Sequence, residues 1–257
     1  MGRWLWIGVA GLALALLSWP ARAELDAIRA CVESNAPRLS SVQKLVVQVR
    51  DALGRVSESR AKLYWRRLRD GDQRLLVRME APEDLAGVAL LVIGRSGERP
   101  SVHLYLPELD ETRRIYSSEE VRPVLGAGVP IEEMQHLVNL AEHSTLQLLG
   151  ESDLEGRRVW VVEARPDGVS RYQRIVASVD QRYCLPLRLE FFGAEDRPKR
   201  RMQVDPEQVT RAAQSWMPRA VVVEDLEDGS LLTVQVVSLE VDIPLAPSLL
   251  TVKALRP

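Results

Sequence analysis

The residue patterns that usually mark enzymes are missing from this sequence. Only three of its 257 residues are histidine, namely His103, His136 and His143, and no GxSxG stretch offers a turn for a nucleophilic serine. There is no HExxH pair for zinc, and Gly126-Ala127-Gly128 is too short a glycine pattern for a phosphate-binding loop. We therefore predict a protein without catalytic residues, a metal or a cofactor, and we interpret His103 as an ordinary residue on the face of a sheet.

Two groups of side chains could bind a metal, but each has a simpler explanation. His136 and His143 are seven residues apart on a predicted helix, near Glu133 and Glu142, and a solvated helix face accounts for that spacing. The acidic residues between 224 and 228 surround a predicted hairpin tip. Calcium binding is the alternative there, and solvation alone accounts for the cluster.

The sequence has no excess of basic residues. Its 34 lysines and arginines stand against 36 acidic residues, and the net charge is −2. Proteins that bind nucleic acids usually show a strong basic excess or a concentrated basic face. The clusters Arg66-Arg67 and Lys199-Arg200-Arg201 are short, and each fits the solvated face of a strand. We therefore predict no nucleic-acid partner.

The main apolar run lies at the N-terminus and resembles a secretory signal peptide. Arg3 precedes the apolar residues 4–17, and Ala21-Arg22-Ala23 forms a small-x-small cleavage site. The run is shorter than the roughly 20 apolar residues that span a membrane, so an uncleaved anchor is the weaker alternative. The residue directly after the cleavage site is Glu24 and not the cysteine that a bacterial lipoprotein would require there. We predict a signal peptide over residues 1–23, cleavage after Ala23 and a soluble periplasmic protein.

Cysteine is rare, with Cys31 and Cys184 as the only two examples. An oxidising compartment favours a disulfide between them. The alternatives are two separate buried thiols or a redox pair, although the sequence has no CxxC spacing. We predict a structural disulfide that ties the first helix to the far half of the sheet.

Helical spacing of apolar residues occurs in two places. The first predicted helix covers residues 25–36 and stops at Asn35 and Pro37, and the second covers residues 131–141. Elsewhere apolar and polar residues alternate, with turns such as Asp70-Gly71-Asp72 between them, which predicts about a dozen antiparallel strands. There is no βαβ alternation and no linker. We predict one α+β domain over residues 24–257, built on a large curved antiparallel sheet.

The clearest hairpin covers residues 102–115. Alternation predicts a strand that Pro107 ends, an acidic turn, and a return strand through Arg113 and Arg114. The preceding residues 88–93 are apolar on both faces, which predicts a strand that is covered on both sides. The second helix is the best candidate for a movable cover, through its apolar residues Ile131, Met134, Leu137 and Val138.

Short pieces of the chain, in their order and spacing, resemble the LolA-like outer-membrane lipoprotein-sorting proteins. They are Asn35-Ala36-Pro37, Leu63-Tyr64-Trp65, residues 82–87, Leu104-Tyr105-Leu106-Pro107, Arg113-Arg114-Ile115, residues 180–187 (DQRYCLPL), Glu190-Phe191, Trp216-Met217-Pro218-Arg219 and Asp242-Ile243-Pro244. The resemblance implies an unclosed antiparallel β-barrel that is capped by helices and holds a hydrophobic ligand. The chain departs from the family at residues 125–129, where LGAGV replaces a WGxDF-like run.

The function implied by this resemblance is that of a periplasmic carrier for lipid or lipoprotein acyl chains. Its partners would be an RND-type exporter or an outer-membrane acceptor. The alternative is a sensing module like the RseB-like sigma-factor regulators, although the chain ends at Pro257 without their second domain. The side chains expected to line the cavity would equally suit a packed core. They are Trp65, Val77, Met79, Leu104, Leu106, Leu189 and Phe191.

Overall fold

The computed structural model describes residues 18–68, 71–95, 98–117, 120, 133, 144–167 and 170–256. These residues form one long helix, α1 (Ser18–Asn35), fifteen strands and several short 3-10 turns. The strands are β1 (Ser40–Arg50), β2 (Val56–Arg67), β3 (Gln73–Ala81), β4 (Ala89–Gly94), β5 (Ser101–Leu106), β6 (Glu111–Ile115), β7 (Ser144–Leu154), β8 (Arg157–Pro166), β9 (Arg174–Asp180), β10 (Pro186–Phe192), β11 (Pro198–Val204), β12 (Val209–Ala212), β13 (Ser215–Pro218), β14 (Ala220–Asp225) and β15 (Leu231–Val241).

Among the described residues, thirteen strands form one antiparallel sheet in the order β6-β5-β4-β3-β2-β1-β15-β14-β11-β10-β9-β8-β7, and β12 and β13 form a separate two-stranded sheet. Pairing of β1 with β15 joins the two halves of the chain in the middle of the sheet. The edge strands β6 and β7 do not pair with each other in the described part of the chain. The predicted unclosed antiparallel sheet is confirmed, and the connection between the two edges carries the predicted second helix, of which only Glu133 lies within the described residues.

The predicted hairpin is confirmed. Strand β5 ends at Leu106, a 3-10 turn occupies Pro107–Leu109, and Asp110 takes a left-handed conformation with φ of 46° before β6 begins. Val102 pairs with Ile115 and Leu104 with Arg113. Proline ends the strand because it has no N–H to donate to the sheet.

Strand β4 is buried on both faces, as its uniform apolar character predicts. Leu90 and Val92 pack in one cluster with Leu104 on the neighbouring strand. On the opposite face, Leu91 packs in a second cluster with residues from two C-terminal 3-10 turns, Pro247–Leu250 and Val252–Leu255. The sequence did not predict this C-terminal cover.

Arginines on β3 hold the C-terminal cover in place. Arg74 donates to the carbonyl oxygen of Leu250 at 3.0 Å, and Arg78 donates to that of Leu255 at 3.1 Å. Leu250 and Leu255 are each only 1% exposed. Leu250 and Leu255, near the end of the described chain, are therefore part of the core.

Two boundaries differ from prediction. Helix α1 already includes Ser18, the first described residue, whereas the predicted helix starts at residue 25, because apolar spacing marks only the packed part of a helix and residues 22–24 are exposed. Alternation of apolar and polar residues over residues 216–226 predicts one strand, but the structure divides this segment at Arg219 into β13 and β14, and β13 forms a hairpin with β12. The count is therefore fifteen strands in the described chain rather than about a dozen. No helix among the described residues has the length and apolar character to cross a membrane.

Candidate ligand-binding groove

A cavity of about 510 Å³ lies between α1 and one face of the sheet, and it is partly open to solvent. The helix provides one wall, strands β7–β10 provide the other, and the β2–β3 hairpin lies at its margin. Most of the lining side chains are apolar. Those that define the two walls are Leu25, Ile28 and Val32 on α1 and Val162, Ala177 and Leu189 on the sheet. We call this cavity the α1 groove.

The helical wall follows directly from the spacing of apolar residues. Leu25, Ile28 and Val32 are three or four positions apart, so they share one face of the helix, and Ala36 directly follows the last helical residue. All four line the groove, and Ile28 is only 4% exposed. The apolar face that predicted the first helix is therefore the face that the helix turns toward the sheet.

The sheet wall follows from strand register. Ala177 pairs with Val162 on one side and with Leu189 on the other, and paired residues of antiparallel strands share a face. Ala164 lies on the same face, and both alanines line the groove. Because alanine is small, the sheet surface is recessed between the larger side chains, which leaves room for a ligand.

A disulfide fixes α1 against the sheet, as predicted. Cys31 on the helix is bonded to Cys184, with Cα atoms 5.4 Å apart. At the end of the helix, the Asn35 side chain forms two hydrogen bonds with the backbone of Trp216, at 2.6 and 3.1 Å. The Trp216 ring packs on Tyr183, with ring centroids 4.7 Å apart. The helix is therefore held at two successive points along its last turns.

Asp180 orders the turn that presents Cys184 to the helix. Its carboxylate accepts hydrogen bonds from the backbone N–H groups of Arg182 at 2.9 Å and Tyr183 at 2.6 Å. It also accepts from Nε of Arg157 at 2.6 Å. Burial alone would raise the pKa of Asp180, but Arg157 and the two N–H groups outweigh burial and hold this pKa below its usual value. Cys184 itself is left-handed, with φ of 52°.

Among the described residues that line the groove, three are charged and Gln73 is polar. Arg29 and Glu33 lie on α1, and Arg67 lies at the end of β2. The guanidinium of Arg67 is 5.8 Å from the ring centroid of Trp65. Within the described part of the chain, neither arginine has a carboxylate within 4.0 Å. The basic side chains at this groove are therefore available to a ligand.

The structure distributes the seven predicted cavity residues unevenly. Leu189 lines the α1 groove, and Trp65 contacts a side chain that does. The remaining residues lie in packed clusters of the core, and their role in lining a ligand cavity stays a prediction. They are Val77, Met79, Leu104 and Leu106 in the N-terminal half and Phe191 in the C-terminal half. The movable cover predicted at Ile131, Met134, Leu137 and Val138 lies outside the described residues.

Sequence reasoning missed the groove residues on α1 and on strands β7–β9. The apolar face of the helix was recognised, but it was not assigned to a cavity. The small residues Ala164 and Ala177 gave no signal, because alternation alone does not distinguish a recess from a packed face. The predicted disulfide was the one available clue, since it required α1 to pack against the strand that follows Cys184.

A buried ionic cluster lies apart from this groove and corrects two expectations. Glu133, expected on a solvated helix face, is fully buried, and Arg200, expected on a solvated strand face, is only 5% exposed. Arg200 lies 3.4 Å from Glu133 and 3.1 Å from Asp225, and the Tyr172 hydroxyl donates to Glu133. Burial, followed by the negative charge of Glu133, raises the pKa of Tyr172. Strand alternation places Arg200 inward, where acidic partners compensate its charge.

Metal binding gains no support within the described chain. No group of three or more His, Cys, Asp or Glu side chains in that part is arranged to hold a metal ion. His103 is half-buried on the sheet, where it pairs across strands with Arg114. Burial, followed by the charges of Arg114 and Arg95, holds the pKa of His103 below its usual value. His136, His143 and Glu142 lie outside the described residues.

Most of the chain matches a known protein family. A family model for uncharacterized proteins matches residues 71–257, which is more than half of the chain. The chain belongs to this family. No curated protein matches the sequence significantly.

Solved structures show the same fold. A domain from Vibrio parahaemolyticus that is named for outer membrane lipoprotein sorting matches with a TM-score of 0.83 and 18% identity, over 92% of this chain and all of its own length. A DUF1329 family protein from Desulfovibrio piger matches with a TM-score of 0.81 and 22% identity, over 92% of this chain and 99% of its own length. A LolA superfamily protein from Nitrosomonas europaea matches with a TM-score of 0.67 and 16% identity, over 87% of this chain and 97% of its own length. The fold is that of the LolA-like open barrels.

Proposed function

We propose that the protein is a carrier that shields acyl chains of lipids or lipoproteins while they pass between envelope membranes. The observation that supports this most strongly is the α1 groove, an apolar cavity of about 510 Å³ between a helix and an open LolA-like sheet. Ligand pockets in proteins usually enclose roughly 300–1,000 Å³, so the groove has the size of a ligand site. Carriage requires no chemical step, so the proposal includes no catalytic residue.

The size of the apolar walls is consistent with useful affinity. Each buried methylene contributes about 0.8 kcal/mol. About ten buried methylenes would then contribute about 8 kcal/mol, which corresponds to micromolar binding before the cost of ordering the chain is subtracted. An affinity of this size suits a carrier, since the ligand must also leave.

The remaining parts of the proposal concern location and partners. The mature protein would begin after Ala23, form one domain over residues 24–257 and act in the periplasm. The acyl chain would arrive from the inner membrane, for example from an RND-type exporter, and leave toward an outer-membrane acceptor. The LolA-like fold and the predicted signal peptide support this arrangement.

Native mass spectrometry of protein purified from the periplasm is the first test, followed by uptake of a fluorescent fatty acid. We expect a co-purified lipid, or stoichiometric uptake, in the unmodified protein. Ala177→Phe fills the recess in the sheet wall and should reduce uptake strongly. Val237→Phe is the matched control, because Val237 is 65% exposed at a bulge in β15 and should leave uptake unchanged. A protein that neither carries nor takes up lipid would overturn the proposal.

A transfer assay separates a carrier from a regulatory module that binds lipid. Donor vesicles would contain a fluorescent acyl probe and acceptor vesicles a quencher. A carrier accelerates movement of the probe into the acceptor vesicles in proportion to protein concentration. Tight binding without transfer would favour the regulatory alternative instead.

A further inference from the structure

We infer that the ligand of the α1 groove is an amphiphile with an anionic head group, a carboxylate or a phosphate, which Arg29 and Arg67 bind. The inference rests on the proposed function and adds the chemical class of the ligand. It follows from the two arginines that line the groove, because an entirely apolar ligand would offer them no polar group to bind.

The two arginines reach the groove from different elements. Arg29 lies on α1 between Ile28 and Val32, and Arg67 is the last residue of β2. Long basic side chains can line an apolar surface with their methylene stems while the charged end stays near water. The two guanidinium groups therefore supply basic donors from both the helix and the sheet side of one cavity.

The charge balance of the lining favours an anion. Among the described residues of the lining, Glu33 is the one acidic residue, against two arginines. In the described part of the chain, it forms no ion pair with either of them. Arg67 is half-buried and contacts the face of Trp65, so part of its hydration has already been lost. A carboxylate or phosphate would compensate that loss through charge-assisted hydrogen bonds, which an uncharged or cationic head group cannot form.

The positions of the polar lining residues also suggest an orientation for the ligand. Arg67 pairs with Gln73 at the start of β3, and both line the groove near the turn of that hairpin. The strictly apolar residues Val162, Ala164 and Leu189 line the wall formed by strands β8 and β10. We therefore place the head group at the end of the groove near the β2–β3 turn and the acyl chain along the sheet wall.

The test compares four probes that share a 16-carbon chain: palmitate, hexadecyl phosphate, hexadecanol and hexadecyltrimethylammonium. Their affinities would be measured by displacement of a fluorescent fatty acid from the mature protein. Palmitate and hexadecyl phosphate should bind about tenfold more tightly than the other two probes, the factor expected from one or two charge-assisted hydrogen bonds. A preference for palmitate over hexadecyl phosphate would indicate a fatty acid, and the reverse would indicate a phosphate head group.

Variants assign this preference to the two arginines. Arg29→Gln and Arg67→Gln should each reduce the preference for anionic probes, and the double variant should abolish it while the affinity for hexadecanol is unchanged. Arg38→Gln is the matched control, because Arg38 is an exposed arginine near the end of α1 that does not line the groove. The probe series on the unmodified protein remains decisive even if the double variant is unstable.

The outcomes distinguish the inference from the function on which it rests. Equal affinity for all four probes, or a preference that survives in a folded double variant, would overturn the inference and leave the carrier proposal standing. Failure of every probe to bind would overturn both.

Discussion

The carboxylate of Glu133 lies 3.4 Å from the guanidinium of Arg200, and both side chains are buried. Glu133 belongs to the connection between the two edge strands, whereas Arg200 lies on β11 within the sheet. Asp225 on the neighbouring strand β14 is the second acidic partner of Arg200, at 3.1 Å. This contact attaches the connection between the sheet edges to the C-terminal half of the core.

Removing the arginine should therefore be costly. Arg200→Met removes the buried cation that faces both Glu133 and Asp225, and we expect a loss of about 3–5 kcal/mol in the free energy of unfolding, measured with urea. Arg201→Met is the control, because Arg201 is the next residue and forms partly exposed pairs with Glu190 and Glu224. That variant should lose about 1 kcal/mol or less. Equal losses in the two variants would contradict a special role for the buried pair.

The same residues show how far sequence reasoning reaches. Alternating patterns predicted most strands of the main sheet, and Pro107 correctly ended β5, because a strand with one buried face must repeat every two residues. Lys199-Arg200-Arg201 could not be resolved in this way, since an inward-facing arginine is recognisable only with its distant partner Glu133. The sequence indicates the two faces of a strand, but it does not show which charged residue is buried against a distant partner.

The C-terminal cover and the α1 groove were missed for related reasons. Residues 247–255 have neither a helical nor a strand period, so nothing in the sequence showed that Leu250 and Leu255 pack on β4. The groove depends on an empty volume between elements, and the alternation around Ala177 is the same whether the opposite wall is close or distant. The C-terminal cover and the α1 groove therefore depend on contacts between distant segments, which local sequence patterns do not show.

Asp180 predicts a specific dependence of stability on pH. Its pKa in the folded protein is lower than in the unfolded chain, so folding favours the ionised carboxylate. The stability that it contributes is complete above the unfolded pKa of about 3.9, and it is lost as the pH falls through the lower folded pKa. Asp180→Asn should reduce stability at pH 7 by about 1–3 kcal/mol and flatten its decline below about pH 4.

Urea unfolding between pH 7 and pH 3 checks this prediction. Asp84→Asn serves as the control, because it changes an exposed aspartate that lies far in sequence from the turn between Asp180 and Cys184. If the free energy of unfolding of Asp180→Asn falls with decreasing pH as steeply as that of the unmodified protein, Asp180 does not contribute to acid sensitivity.

The disulfide predicts a large effect on stability. Replacing Cys31 and Cys184 by serine releases a closed loop with a sequence separation of 153 residues, for which the chain-entropy estimate is about 5 kcal/mol. We expect the melting temperature to fall by several degrees, while the relative affinities for different lipids change little. Titration of thiols in the unfolded, unreduced protein checks the premise, and two reactive thiols per chain would mean that the bond is absent.

The C-terminal cover predicts that a residue near the end of the chain is important for folding. Leu255→Ala removes a side chain that is 1% exposed and packs with Leu91 and Tyr105, so we expect a loss of about 2–5 kcal/mol in the free energy of unfolding. Val252→Ala, at a residue 36% exposed in the same 3-10 turn, should lose much less. Similar small losses in both variants would indicate that the cover does not contribute to the core.

Photo-crosslinking tests the carrier account most directly. Mature protein would be irradiated with palmitate that carries a diazirine in its acyl chain, and the modified peptides would be located by mass spectrometry. We predict crosslinks on the face of α1 that contains Ile28 and Val32 and on the strands that contain Ala177 and Leu189, with loss of these crosslinks when unlabelled palmitate competes. Crosslinks confined to other surfaces, or crosslinks that unlabelled palmitate does not displace, would contradict the assignment of the α1 groove as the lipid site.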